Sequence, residues 1–131
     1  MTRQIFVNLP VADVSRSRAF FAGLGFSFNE QFSDASAACM VVSDTISVQL
    51  LATEKFQTFT PKPVFDARKG TETLLCLSCE SRAEVDEMVR KAVAGGGSTF
   101  QEPVDHGFMY HHAFQDLDGH LWELIHWAGN A

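Results

Sequence analysis

The segment from Met109 to Trp127 constrains the fold more than any other part of the chain. Its centre, Asp116-Leu117-Asp118-Gly119, has the composition of a tight turn, because Asp tolerates turn geometry and Gly supplies a positive φ. The flanking stretches, Tyr110–Phe114 and Leu121–Trp127, are rich in aromatic and β-favouring residues. The sequence therefore predicts a β-hairpin across this segment.

The turn also predicts a register for the hairpin. A four-residue turn places Gln115 opposite His120, and three pairs further along it places His112 opposite Glu123. A carboxylate among apolar side chains is costly to desolvate, so Glu123 is predicted to have a partner or a ligand, and His112 is the candidate partner. Because side chains alternate between sheet faces, the predicted shared face consists of Tyr110, His112, Phe114, Leu121, Glu123, Ile125 and Trp127.

Composition and charge exclude several classes of function. A chain of 131 residues with 46% apolar content suits one compact domain. The formal charge of −6 and the lack of any run of Lys or Arg argue against nucleic acid or a membrane surface as partner. The N-terminal part carries no long apolar segment, so neither a signal peptide nor a transmembrane helix is expected, and a cytoplasmic location is predicted. Three cysteines, an odd number, fit reduced thiols better than a disulfide framework.

The first half of the chain reads as β-α-β-β-β. Ile5–Val11 is a strand candidate, and Asp13 is placed to cap a helix that runs to about Gly23. The three strands that follow are predicted within Phe26–Phe32, Ala38–Val42 and Thr45–Leu51.

A connector follows, and it differs in character from both halves. Thr53–Gly70 interleaves phenylalanines with Lys, Gln, Thr and Pro. A long loop in a compact domain is often functional, so a flap over a pocket is one interpretation. Packing of Phe56, Phe59 and Phe65 against the sheet is the favoured one.

The second half repeats the order of the first. Thr73–Cys79 is an apolar strand, Ser81-Arg82-Ala83-Glu84 is a capping box, and Gly95-Gly96-Gly97 ends the helix that follows. A short strand around Ser98–Phe100, the Pro103–Gly107 loop and the final hairpin complete the half. We predict an α+β fold of two β-α-β-β-β modules, residues 1–56 and 70–131, joined by a connector at 57–69.

The two halves can be aligned as an internal repeat. Asp13 corresponds to Ser81 as helix cap, and Gly25 corresponds to Gly97 after the helix. On this alignment the second helix is longer than the first by about one turn.

Several stretches together resemble a known superfamily. They are Ile5–Asp13, Ala19-Phe20-Phe21, Leu24-Gly25-Phe26 and Asp116–Leu124. In this order they resemble the glyoxalase, bleomycin-resistance and extradiol-dioxygenase superfamily, the vicinal oxygen chelate fold, across nearly the whole chain. The resemblance implies two modules whose curved mixed sheets form a cup, often completed by dimerisation, so a homodimer is predicted. Leu117 departs from the family, which often has Pro there.

The resemblance also implies where the enzyme members hold a divalent metal. The four ligand positions correspond to Phe6, Gln49, Leu74 and Glu123. Two apolar residues cannot bind a metal, so the site is predicted to be degenerate and no cofactor is expected. A register slip of two residues would bring Asn8 and Cys76 onto the faces of Phe6 and Leu74.

Cysteine and histidine patterns give no stronger metal site. Cys76 and Cys79, three residues apart in a strand, point to opposite faces, so ordinary buried thiols are predicted. The histidines lie in the last quarter of the chain, but strand alternation does not bring them to one place. His111 and His126 are predicted on one face of the sheet and His112 on the other face. Surface or supporting histidines are therefore predicted, with His112 as the exception.

Two hypotheses of function follow. The first is a glyoxalase-like protein that binds a small molecule in an apolar cup with a degenerate metal site, through Phe6, Asn8, Gln49, Leu74, Tyr110, His112 and Glu123. The alternative is a metal-dependent lyase or isomerase of the glyoxalase I (lactoylglutathione lyase) type. In that case Gln49, His112 and Glu123 would hold a divalent metal, with His112 and Glu123 as the catalytic candidates.

Overall fold

Each half of the chain folds as strand, helix and three further strands in the computed structural model, which describes residues 2–127. The chain divides into two units, residues 1–65 and 66–131. The predicted α+β fold of two β-α-β-β-β modules is confirmed. The elements are β1 (Ile5–Val11), α1 (Val14–Gly23), β2 (Ser27–Phe28), a 3₁₀ helix (Glu30–Phe32), β3 (Ala37–Val41), β4 (Ile46–Ala52), α2 (Thr53–Gln57), β5 (Leu74–Ser78), α3 (Arg82–Ala94), β6 (Val104–Asp105), β7 (Met109–Gln115) and β8 (Leu121–Trp127).

In the first unit, the described strands form one mixed sheet in the order β1-β4-β3-β2. β1 is parallel to β4, and the other neighbours are antiparallel. Asp13 begins α1 as predicted, since its carboxylate accepts a hydrogen bond from the backbone N–H of Arg16. α1 packs on β3 and β4. The core of this unit includes Val11, Phe20, Phe21, Met40 and Leu50, all buried.

In the second unit, the described strands repeat that order as β5-β8-β7-β6. The predicted capping box is confirmed: Ser81 Oγ accepts from Glu84 N at 3.1 Å, and Glu84 Oε1 accepts from Glu80 N at 2.7 Å. α3 has 13 residues against 10 in α1, in agreement with the longer second helix that the repeat predicts. It packs on β7 and β8, and the core includes Val85, Val89, Phe114, Trp122 and Leu124.

The short edge strands differ from the prediction. Phe26–Phe32 is not one strand, because the Asn29 side chain accepts a hydrogen bond from Gln31 N and starts the 3₁₀ helix. The strand predicted around Ser98–Phe100 is also wrong. Ser98 makes an isolated bridge to Gln115, whereas β6 lies five residues beyond Thr99 in what was predicted as loop.

The connector is ordered by one side chain in the first unit. The Gln57 amide nitrogen donates to the carbonyls of Thr60 (3.2 Å) and Lys62 (2.9 Å), and its oxygen accepts from Val64 N (3.2 Å). Phe59 is 68% exposed and Phe65 is 61% exposed, so the prediction that these two rings pack on the sheet is wrong. The hydrogen bonds to Gln57, rather than burial of the rings, set the path of this loop.

Within residues 2–127, the longest apolar stretches in helices are too short to cross a bilayer.

Candidate functional site

The β7–β8 hairpin has a register that differs by one residue from the prediction. Gln115 lies opposite Leu121, because Asp116 N donates to the His120 carbonyl at 3.0 Å and closes a loop of three residues. Gly119 has φ 92° and ends that loop. A residue in the left-handed region after a turn is typical of the three-residue hairpin loop with a bulge. The four-residue turn of the prediction is therefore wrong.

This shift separates the predicted pair of Glu123 and His112. Glu123 lies opposite Ala113, and His112 lies opposite Leu124 on the other face of the sheet. His112 Nε2 is instead 2.9 Å from the carbonyl oxygen of Gln101. The prediction that His112 and Glu123 form a dyad is wrong.

Tyr110 also lies on the face of His112, away from Glu123. Its hydroxyl donates to Asp86 of α3 at 2.5 Å, and this hydrogen bond raises the pKa of Tyr110 to about 12. The Arg82 guanidinium lies 4.9 Å from the centre of the Tyr110 ring and donates to Asp105 at 2.8 Å. Tyr110 therefore joins α3 to β7, and the predicted face that it shares with Glu123 is wrong.

Glu123 lies on the side of the second sheet opposite α3, here called the open face. The α3 side is filled by Phe114, Trp122 and Leu124, all fully buried. By the observed register, the open face consists of Leu74, Cys76 and Ser78 of β5, Met109, His111, Ala113 and Gln115 of β7, and Leu121, Glu123, Ile125 and Trp127 of β8.

The surroundings of Glu123 on the open face are mostly apolar. Leu121 and Ile125 precede and follow it on the same face, while Cys76 and Ala113 flank it on the neighbouring strands. Glu123 is half-buried, and within residues 2–127 its carboxylate takes part in no hydrogen bond or ion pair. A half-buried carboxylate among apolar side chains, with no protein partner in the described residues, is a candidate contact for a ligand that carries a hydrogen-bond donor.

The thiols of Cys76 and Cys79 both have raised pKa values. Burial and the adjacent Glu123 carboxylate raise the pKa of Cys76, although its side chain is exposed. Burial and Glu84 raise the pKa of Cys79 to about 12. Cys79 continues the β5 ladder, since its N–H donates to the Ile125 carbonyl at 2.7 Å, so strand alternation sends it away from Cys76. Neither thiol has the lowered pKa that a metal ligand or a nucleophile needs.

The other predicted site residues lie on two separate sheets. In the first unit, Asn8 pairs with Gln49, and Phe6, two residues before Asn8, shares their face and is 52% exposed. In the second unit, Leu74 pairs with Leu121 on the open face, two residues from Cys76. The first sheet therefore brings together Phe6, Asn8 and Gln49, and the open face of the second sheet carries Leu74 and Glu123 but not Tyr110 or His112.

The donors do not fit a catalytic divalent metal. Gln49 has the neutral amide of Asn8 beside it, and Glu123 has the protonated thiol of Cys76 beside it. In the part of the chain that the structure describes, no three His, Cys, Asp or Glu side chains come close enough to share an ion. A tightly held divalent ion needs several oxygen or nitrogen donors from the protein, and the Glu123 carboxylate is the one anionic group among these four side chains.

Comparisons with known proteins agree with the fold. A family model described as bleomycin resistance protein-like N-terminal matches residues 3–43. No curated protein sequence matches the chain. Hypothetical protein SA1046 from S. aureus is 28% identical with a TM-score of 0.81, and the match covers 95% of this chain and 94% of that one.

Two further solved structures carry family names. A glyoxalase/bleomycin resistance protein/dioxygenase family enzyme from Burkholderia phytofirmans PsJN is 17% identical with a TM-score of 0.79, covering 97% of this chain and all of that one (100%). A bleomycin resistance determinant encoded on the transposon Tn5 is 24% identical with a TM-score of 0.65, covering 95% and 98%.

The repeated module defines the fold. Two β-α-β-β-β modules with the strand order repeated in each make a vicinal oxygen chelate fold. The chain has the fold of structures named for glyoxalases, bleomycin-resistance proteins and dioxygenases, as the resemblance in its sequence predicts.

Proposed function

We propose that this protein binds a small molecule without a metal, and that the Glu123 carboxylate is the polar anchor of the site. The observation that carries the proposal is the half-buried carboxylate on the open face, which has no partner among residues 2–127. A ligand with a protonated amine or another strong donor would supply that partner. Leu121 and Ile125 beside it favour a ligand whose remaining body is apolar.

The proposal predicts a strong preference for a positive group. We expect the wild-type protein to bind 2-naphthylmethylamine more tightly than the neutral 2-naphthylmethanol, and we expect Glu123→Gln to remove the preference. Loss of a charged hydrogen bond weakens binding by about 1.5–3 kcal/mol, which corresponds to about a tenfold to hundredfold rise in Kd. Isothermal titration calorimetry of both compounds against both proteins measures these Kd values.

The matched control is Glu87→Gln, which removes the same charge from the exposed surface of α3, on the other side of the sheet. Glu87→Gln should leave both affinities unchanged. Thermal unfolding of Glu123→Gln should show no loss of stability, because Glu123 has no partner to lose in the described part of the chain. Equal affinities for amine and alcohol in the wild-type protein would contradict the proposal.

The reactivity of the Cys76 thiol gives an independent measure of the charge on Glu123. Removing the negative charge in Glu123→Gln should lower the Cys76 pKa and accelerate its alkylation by iodoacetamide at pH 8. Cys39 is buried and the pKa of Cys79 is about 12, so Cys76 should dominate the reaction.

The alternative function, a metal-dependent lyase of the glyoxalase I type, makes the opposite prediction. It would require a tightly held stoichiometric metal in protein purified without a histidine tag, and loss of that metal in Glu123→Gln. Metal analysis by mass spectrometry separates the two functions. The amide and protonated-thiol neighbours of Gln49 and Glu123 support the metal-free proposal.

We also propose that the protein is a homodimer. Ile5, Phe6 and Leu74 are each more than half exposed, at 55%, 52% and 54%, on strands at sheet ends, and a second copy would cover such surface. Multi-angle light scattering at micromolar concentration should give twice the chain mass of 14.5 kDa. A mass of one chain would contradict the proposal.

A further inference from the structure

Gln115 is a second half-buried polar side chain on the open face. It lies on β7 opposite Leu121, and its backbone N–H and carbonyl are hydrogen-bonded to Ser98 at 2.7 Å and 3.0 Å. These bonds fix its backbone, whereas its carboxamide takes part in no hydrogen bond within residues 2–127. A carboxamide carries an acceptor oxygen and two donor N–H groups, so Gln115 can meet a ligand in both roles.

The Gln115 carboxamide is also open to a ligand. Among the described residues, the unpartnered side-chain polar atom that is sealed from solvent is Nε2 of Gln101, in the loop before β6. The carboxamide of Gln115 has no partner either, but it is not sealed in this way. A group on the open face can therefore reach it.

Gln115 and Glu123 occupy diagonal corners of a four-residue patch on the open face. The other corners are Leu121, opposite Gln115, and Ala113, opposite Glu123. Diagonal residues of an antiparallel pair lie roughly 7–8 Å apart. Ala113 carries only a methyl group, so no large side chain closes that corner, and Leu121 offers apolar surface beside both polar groups.

We infer that Gln115 is the second polar contact of the Glu123 site, and that the ligand is an amine that also carries a primary carboxamide. The inference rests on the proposed function, since it places the amine at Glu123. The amide carbonyl of the ligand accepts from Gln115 Nε2, and its N–H on the same side donates to Gln115 Oε1, as two carboxamides pair edge to edge.

The diagonal separation limits the distance between the two groups of the ligand. With a hydrogen bond of about 2.9 Å at each end, roughly 4–7 Å is left between the ammonium and the carboxamide. A chain of about two to four methylene groups spans that distance.

Two series of N-substituted 2-naphthylmethylamines test the amide separately from the charge. In one series the second substituent on nitrogen is an alkyl chain that ends in a carboxamide, and in the other the chain ends in an isopropyl group of similar shape. At the best chain length, the ratio of the isopropyl Kd to the carboxamide Kd should be about two- to tenfold higher in the wild-type protein than in Gln115→Leu, the range for a neutral hydrogen bond. Calorimetry measures the four Kd values, and the comparison of ratios cancels the cost of desolvating the amide.

Two controls assign the effect to the Gln115 carboxamide. Gln31→Leu makes the same substitution at an exposed glutamine of the 3₁₀ helix and should keep the wild-type ratio. Glu123→Gln should weaken both series and also keep the ratio. Gln115→Leu should melt no lower than the wild-type protein, because the carboxamide has no partner to lose in the described part of the chain.

Gln115→Glu gives a second measurement, which reads a gain rather than a loss. Glutamate has the same length, but its carboxylate has no N–H to donate to the amide carbonyl. We expect this variant to bind a chain that ends in a second ammonium more tightly than one that ends in a carboxamide, the reverse of the wild-type order. A wild-type order in Gln115→Glu would contradict the inference.

The outcomes distinguish this inference from the proposed function. If both series bind through Glu123 and the ratio is the same in the wild-type protein and Gln115→Leu, the inference is overturned and the proposed function stands. If neither series nor 2-naphthylmethylamine binds the wild-type protein, the proposed function fails and this inference fails with it. A methyl ketone that binds as tightly as the carboxamide would overturn the assignment of a primary amide.

Discussion

Asp116→Ala is expected to lower the free energy of unfolding by about 3–5 kcal/mol, the range for removing one member of a buried charged interaction. Asp116 is 4% exposed at the start of the β7–β8 loop. One carboxylate oxygen accepts from Asp118 N at 2.9 Å and His120 N at 3.0 Å, and the other accepts from Trp122 Nε1 at 3.0 Å. Alanine would leave these three donors without their acceptor.

Denaturant unfolding followed by tryptophan fluorescence measures this loss as a lower midpoint at constant slope. The matched control is Asp13→Ala, which removes an exposed carboxylate that caps α1 and should cost only about 1 kcal/mol. Equal losses in the two variants would contradict the role assigned to Asp116.

The pH dependence of the same carboxylate has a defined sign. Burial raises the Asp116 pKa above 3.8, although Trp122, His120 and backbone N–H groups oppose the shift. The folded chain therefore keeps this proton to a higher pH than the unfolded chain, so the contribution of Asp116 to stability falls as pH rises from about 3.8 through its folded pKa.

Comparison with Asp116→Asn isolates this effect, because Asn does not titrate. The stability of the wild-type protein minus that of Asp116→Asn should decrease as pH rises through that window. Subtraction is needed since Asp34 and Asp105 have lowered pKa values, through Ser36 and Arg82 respectively, and they change total stability in the opposite direction. A difference that grows with pH would contradict the assignment.

The sequence predicts the architecture well where several local signals agree. The capping box at Ser81, the cap at Asp13 and the apolar strands β1 and β5 each combine a propensity with a position in the repeat. The prediction fails at β2 and β6, which have two residues each and lie at sheet edges. There, side-chain bonds such as the one from Asn29 decide the local path.

The site is predicted less well than the fold, because a shift of one residue in the strand register moves every side chain of a strand relative to the faces of its partner. Asp-Leu-Asp-Gly is compatible with both a four-residue turn and a three-residue loop, so the sequence places the turn but not the pairing. Glu123 was identified from its apolar neighbours alone, and that prediction did not depend on the register. The assignment of His112 as the partner of Glu123 did depend on the register. The stacking of Phe108 on Trp127 had no sequence signal, since a turn, rather than strand alternation, brings the two rings together.

Gly119→Ala is expected to destabilise the protein by about 2–5 kcal/mol, because two costs combine. Its φ of 92° lies in the left-handed region, where an L side chain costs about 1–2 kcal/mol. A Cβ would also meet the backbone N of Arg68 at 2.7 Å and the carbonyl carbon of Ala67 at 2.9 Å, and such overpacking costs about 1–3 kcal/mol more.

Gly107→Ala is the matched control for Gly119→Ala, since φ is 86° there and an added Cβ would meet no atom within 4 Å. It should show the conformational cost alone, so the difference between the two variants measures the contact of residues 67–68 with the hairpin loop. Asp66 holds that segment in place by accepting from Arg68 N at 3.0 Å. Backbone atoms would therefore have to move as well as the Arg68 side chain, whose Cγ lies 2.6 Å from the added Cβ. Because the loop around Gly119 sets the register that puts Glu123 on the open face, Gly119→Ala should also weaken binding of 2-naphthylmethylamine, measured by calorimetry at a temperature where the variant is folded. Equal stability of the two alanine variants would show that the segment does not restrain the loop.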